Sequence, residues 1–153
     1  MRYTTSYGDN TLTGLGLRMY FDSQFMTYNG VSQVLASGLV SPAAVTDDTA
    51  DGDGDPVTDK YVAIGWADIG GNWPNLALPA QLFVGNFTLA DGLVNGDQRI
   101  VRFTALTAAG YTFEEHPITV VASSVNLDAD GNCAANALTD GILILRYLFD
   151  QHG

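Results

Sequence analysis

Leu15-Gly16-Leu17-Arg18-Met19-Tyr20-Phe21 is the run whose reading decides the fold. Leu15, Leu17, Met19 and Phe21 alternate with Gly16, Arg18 and Tyr20. An apolar period of two marks a strand with one buried face. Asp22-Ser23 ends it. Upstream, Arg2 to Tyr7 reads as a strand closed by the turn Gly8-Asp9-Asn10. Downstream, Phe25 to Tyr28 is a short strand stopped by Asn29-Gly30, and Val31 to Val40 fits either a strand or a helical turn. Tyr61 to Ala67 places Val62, Ile64 and Trp66 on one face. Gln81 to Leu89, Arg99 to Ala105, Tyr111 to Phe113 and Ile118 to Ser123 supply the other strands, with loops at 68–74 and 91–97. Short strands recurring every ~8–15 residues with turn signals between them predict a mainly β protein, an antiparallel β-sandwich of jelly-roll type.

Composition agrees with a packed chain. Hydrophobic residues make up 46% and charged residues only 15%, which excludes a disordered polyelectrolyte. The 153 residues suffice for one domain with a core and an appendage. Net charge is −11 with six basic residues, so nucleic acid and anionic membranes, which need a positive footprint, are poor partners. No run of ~20 apolar residues could span a bilayer, and no stretch reads as a signal peptide. Met1-Arg2-Tyr3 enters directly on strand-like sequence. That start reads as an excised piece of a longer secreted or cell-surface protein carrying an added Met. A single cysteine, Cys133, excludes an internal disulfide and reads as a small loop residue, since no histidine lies near it. Metal staples could stand in for disulfides.

The aspartates fall in two clusters. Seven of the 17 acids, Asp51, Asp53, Asp55, Asp59, Asp128, Asp130 and Asp140, lie in two short stretches and would repel each other without positive charge between them. Alternating oxygen-bearing side chains are how a loop wraps one hard cation, and Ca²⁺ takes roughly 6–8 oxygens. In the first cluster the expected ligands are Asp51, Asp53, Asp55 and Asp59, with the Val57 carbonyl between them; Asp47 and Asp48 are either extra ligands or solvated groups. In the second they are Asp128, Asp130, Asn132, the Ala134 carbonyl, Asn136 and Asp140. Asp140 comes one place later than the closing acid of a standard EF-hand loop, and Cys133 stands where that loop carries Gly. Ile142 to Phe149 is then apolar nearly all round, broken by Arg146, and reads as a helix that needs burial.

Asp128, Asp130, Asn132 and Asp140, followed by Leu145-Arg146-Tyr147-Leu148, resemble a dockerin repeat, the calcium-loop-plus-helix unit of cellulosome-type assemblies. One complete unit is present, over residues 126–150. Residues 2–123, with an inserted calcium loop at 47–59, are similar to cohesin-like domains and related carbohydrate-binding sandwiches. That likeness rests on Leu12-Thr-Gly-Leu-Gly-Leu-Arg-Met-Tyr-Phe-Asp22 and Tyr61-Val-Ala-Ile-Gly-Trp-Ala67. The resemblances imply a Ca²⁺-dependent module of adhesion or assembly. Its helix residues Ile142, Leu145, Tyr147 and Phe149 would meet a protein partner or a second copy.

No nucleophile–base pattern or nucleotide-binding motif occurs, so an enzyme is not expected. Glu114 and Glu115 are adjacent and would point to opposite faces of a strand. The alternative reading is a carbohydrate-binding module attached to a polysaccharide-active enzyme. Trp66, Trp73 and Tyr61 would then be the sugar-stacking aromatics.

Overall fold

The computed structural model describes residues 1–41 and 44–122. Among the described residues, twelve strands run in order: β1 (Arg2–Tyr3), β2 (Thr11–Leu12), β3 (Gly14–Phe21), β4 (Met26–Ser32), β5 (Leu39–Ser41), β6 (Val45–Asp47), β7 (Lys60–Ala67), β8 (Trp73–Pro74), β9 (Ala80–Gln81), β10 (Val84–Leu89), β11 (Gln98–Thr107) and β12 (Ile118–Val121). Every pairing is antiparallel. The main sheet has the order β12-β11-β3-β7-β5, with β6 also paired to β7. Three two-stranded ribbons accompany it: β4–β10, β1–β9 and β2–β8.

The decisive run occupies the middle of that sheet. Leu15, Leu17, Met19 and Phe21 are all buried on one face, as period two requires. Val62, Ile64 and Trp66 of β7 and Val101 and Phe103 of β11 extend the same face. The β4–β10 ribbon covers part of it: the Phe21 ring lies 5.3 Å from Phe87 and 6.2 Å from Tyr28. Each such large side chain stabilises the fold by about 1.5–3 kcal/mol relative to exposure. Tyr20, on the opposite face, would be solvated by alternation alone, yet it is wholly buried. The loop between β6 and β7 covers it.

Three local departures have clear causes. Asn29-Gly30 does not stop β4. Gly30 pairs with Asn86 and Tyr28 with Phe87, so Asn29 is the extra residue of a β-bulge, with Gly30 at φ 111°. Gln81 to Leu89 is not one strand. Gln81 closes the β1–β9 ribbon, Val84 opens β10, and Leu82 and Phe83 are both buried where the chain crosses between them. Residues 111–113 form no strand.

The expected fold class needs correction. The described residues are all β and hold no helix, because their apolar period is two wherever it is regular. Nor are there the two matched sheets of a jelly roll: a six-stranded sheet faces short ribbons. The expected C-terminal calcium loop and helix, at 126–150, lie outside the described residues.

Candidate cation-binding loop

β6 and β7 form a hairpin in register, Asp47 opposite Lys60 and Val45 opposite Val62, and the Asp48 amide extends the ladder by donating to the Asp59 carbonyl at 2.8 Å. Residues 48–59 are its loop. Two tight turns shape it: Gly54 N donates to the Asp51 carbonyl (3.1 Å) and Thr58 N to the Asp55 carbonyl (3.0 Å). Asp51 and Gly54 both sit at positive φ, 50° and 74°, where Asp is tolerated and Gly is unstrained.

The turns gather Asp48, Asp51 and Asp53. One carboxylate oxygen of each lies within 4.8 Å of the others. The loop backbone supports them: Gly52 N donates to Asp48 Oδ2 (2.8 Å) and Asp55 N to Asp53 Oδ1 (3.2 Å). The buried Thr58 hydroxyl sits 2.7 Å from Asp53 Oδ2 and 2.9 Å from the Asp55 carbonyl. The Asp53 side chain is 0% exposed. A hard cation would find only oxygen donors here, the class Ca²⁺ prefers. Three carboxylates fit part of its shell, and the remainder would come from carbonyls or water. Both Asp53 oxygens already accept hydrogen bonds, so Asp48 and Asp51 are the freer donors.

Asp55 and Asp59, expected as ligands, are turned elsewhere. Asp55 Oδ1 accepts from Val57 N (3.1 Å), and the Val57 side chain is exposed. Asp59 takes two hydrogen bonds from Ser23, from the amide at 2.7 Å and the hydroxyl at 2.6 Å. Burial pushes the Asp59 carboxyl up, but the Ser23 bonds outweigh it and hold it below its ordinary range. Asp47 pairs with Lys60 and raises its ammonium pKa. Asp128, Asp130, Asn132, Ala134, Asn136 and Asp140, and the helix residues Ile142, Leu145, Tyr147 and Phe149, lie outside the described residues.

The protein supplies a cation of its own. Arg102 projects from β11 on the face that the loop covers. Its Nε is 3.9 Å from Asp53 Oδ2 and its Nη1 3.8 Å from Asp55 Oδ2. The guanidinium also grips Glu115 through two bonds, Nε to Oε1 at 3.2 Å and Nη2 to Oε2 at 2.9 Å. This fork matches a carboxylate and is charge-assisted. Arg102, and after it the Phe103 amide at 2.9 Å, holds the Glu115 carboxyl below its usual range despite partial burial. The loop thus packs on the outer face of the main sheet. A Cβ on Gly52 would come within 2.8 Å of the Tyr20 hydroxyl, which is itself 3.1 Å from Thr104 Oγ1. Arg102 and Thr58 were not singled out from the sequence, and Glu115 was read only as one of two adjacent acids on opposite faces of a strand. Nothing local marks Arg102, because β11 meets the loop only after folding.

The aromatic platform for sugar is corrected. Trp66 and Trp73 are 2% and 1% exposed. Their indole N–H groups donate to the carbonyls of Leu35 (2.8 Å) and Ser37 (3.0 Å), which satisfies them in the core. Tyr61 is half-buried, 5.4 Å from Tyr20 and capped by the Arg18 guanidinium at 4.7 Å. Two of the three rings are therefore core, and the third is covered by a cation. No family model and no curated protein sequence matches the chain.

Proposed function

We propose that the chain is a non-catalytic calcium-binding module of a secreted or cell-surface protein, serving adhesion or assembly through protein–protein contact. The observation that carries this reading is the convergence of Asp48, Asp51 and Asp53 in one hairpin loop. Like charges at that spacing repel, and a divalent cation relieves the repulsion. The aspartate-rich second stretch, at 128–140, is the other proposed site. The cation would act as a staple that holds the loop to the sheet.

Extracellular modules bind Ca²⁺ at ~10⁻⁴–10⁻³ M. At about 10 mM Ca²⁺, binding to the folded state alone adds roughly 1.4–2.7 kcal/mol per site, or about 3–10 °C in melting temperature for a domain of this size. Melting curves in Ca²⁺ and in chelator test this. The expected rise shrinks in Asp48→Asn and Asp51→Asn, and an unchanged curve in all three proteins refutes the proposal. Light scattering with and without Ca²⁺ tests assembly by self-association.

A further inference from the structure

Strands β4 and β10 contain no charged residue. On the outward side of their ribbon Thr27, Asn29, Asn86 and Thr88 are exposed, with Ser32 beside them. These side chains bond across the strands: Asn29 Nδ2 donates to Thr88 Oγ1 at 2.7 Å, and Asn86 Nδ2 to Ser32 Oγ at 3.2 Å. In a chain of net charge −11, a face built only of amides and hydroxyls stands apart. Neither the aspartate loop nor the core makes use of it.

Asn86-Phe87-Thr88, within this face, fits the Asn-x-Ser/Thr pattern of an N-linked glycan acceptor, and x is not proline. No other asparagine of the chain has Ser or Thr two places later. Three residues alone specify little, and the fold adds two observations. Alternation along β10 sends Asn86 and Thr88 outward together. It turns Phe87 inward, where its ring lies 5.3 Å from Phe21. Both residues that the pattern requires therefore face solvent, while the middle one anchors the strand. The residue opposite Asn86 is Gly30. A Cβ at Gly30 would meet nothing within 4 Å, so no cross-strand side chain crowds the Asn86 amide.

We propose that Asn86 is the acceptor of an N-linked glycan. The donor class is an oligosaccharide carried on a lipid diphosphate. The bond from Asn86 Nδ2 to the sugar C1 forms, the bond from C1 to the diphosphate oxygen breaks, and the amide gives up one proton. The second N–H remains, so the bond to Ser32 can persist. The glycan extends from a hydrated face and displaces no apolar contact. This site rests on the reading of the chain as secreted, and it does not depend on calcium.

The test places the full chain behind a cleavable signal sequence and translates it with endoplasmic-reticulum microsomes. Only chain protected from added protease is scored. A single upward shift on gels is expected. Peptide N-glycosidase should remove it and leave a carboxylate in place of the Asn86 amide, read by mass spectrometry. Asn86→Gln and Thr88→Ala should each abolish the shift. Protein from glycosylating cells should melt no lower with the glycan than after its removal. Protected chain without the shift overturns the proposal. So does a shift that survives in either variant, or melting several degrees lower with the glycan attached. Calcium-independent melting counts against the cation site alone, so the two failures are read separately.

Discussion

Replacing Arg102 with methionine is expected to move stability and calcium affinity in opposite directions. The change keeps most of the aliphatic stem and removes the guanidinium. Without calcium, Glu115 loses both bonds of the fork, and Asp53, whose side chain is 0% exposed, loses its cation at 3.9 Å. Charge-assisted bonds contribute about 1.5–3 kcal/mol. The Arg102 side chain is 28% exposed, so solvent screening argues for the lower half of that range, about 2 kcal/mol. A loss of that size lowers the melting temperature by roughly 4–8 °C. Calcium binding should respond the other way. An ion on Asp53 would sit ~2.4 Å beyond its oxygen, hence within about 6 Å of Arg102. A unit positive charge removed at that distance from a divalent ion, in a medium of ε about 80, changes the energy by about 1.4 kcal/mol, near tenfold in affinity. The assay is urea unfolding in chelator paired with calorimetric titration of Ca²⁺. Asp48→Asn identifies which heat belongs to this loop. Unchanged stability in chelator, or weaker calcium binding at this loop, would refute the account of Arg102 as an internal competitor for the aspartates.

Gly14→Ala is expected to destabilise by roughly 3 kcal/mol or more. Gly14 sits at φ 137°, and a Cβ there would lie 2.2 Å from the Trp66 carbonyl oxygen, against backbone that cannot yield. The urea midpoint reads this, and a shift under about 1 kcal/mol would show that the close β3–β7 approach is relaxed. Acid should destabilise the protein by a definite route. Asp9, held by Tyr111 and then Thr11, Asp59, held against its burial by Ser23, and Glu115, held by Arg102, all have folded pKa values below their ordinary ones. Their contribution is complete above the unfolded values, near pH 4, and is lost as pH falls through the folded values. Melting temperature should therefore hold from neutrality to about pH 5 and then drop. Glu115→Gln should flatten that drop, and an identical acid limb in the variant would contradict the assignment.

Legibility differed between the two halves of the problem. Alternation at 15–21 and 61–67 located the core face correctly, because side chains on neighbouring positions of a strand must point opposite ways. The same rule failed for Tyr20, since a remote loop lies over its face. The turn signal failed at Asn29-Gly30, where a pair that would end a strand in a hairpin is absorbed as a bulge against β10. Within the aspartate stretch, spacing pointed to Asp51 and Asp53. Asp55 and Asp59 follow the same pattern, but their partners, Arg102 and Ser23, come from elsewhere in the chain.

Sequence by itself determined that this chain builds antiparallel sheet, where the inward side chains fall, and that negative oxygen is concentrated in particular turns. These are short-range properties, set by backbone stereochemistry and residue type. Only the tertiary structure decided that Trp66 and Trp73 are core, that Asp48 joins Asp51 and Asp53, and that Arg102 stands beside them. Each of those depends on which distant segments arrive at the same place, and burial and charge pairing have no value until they do.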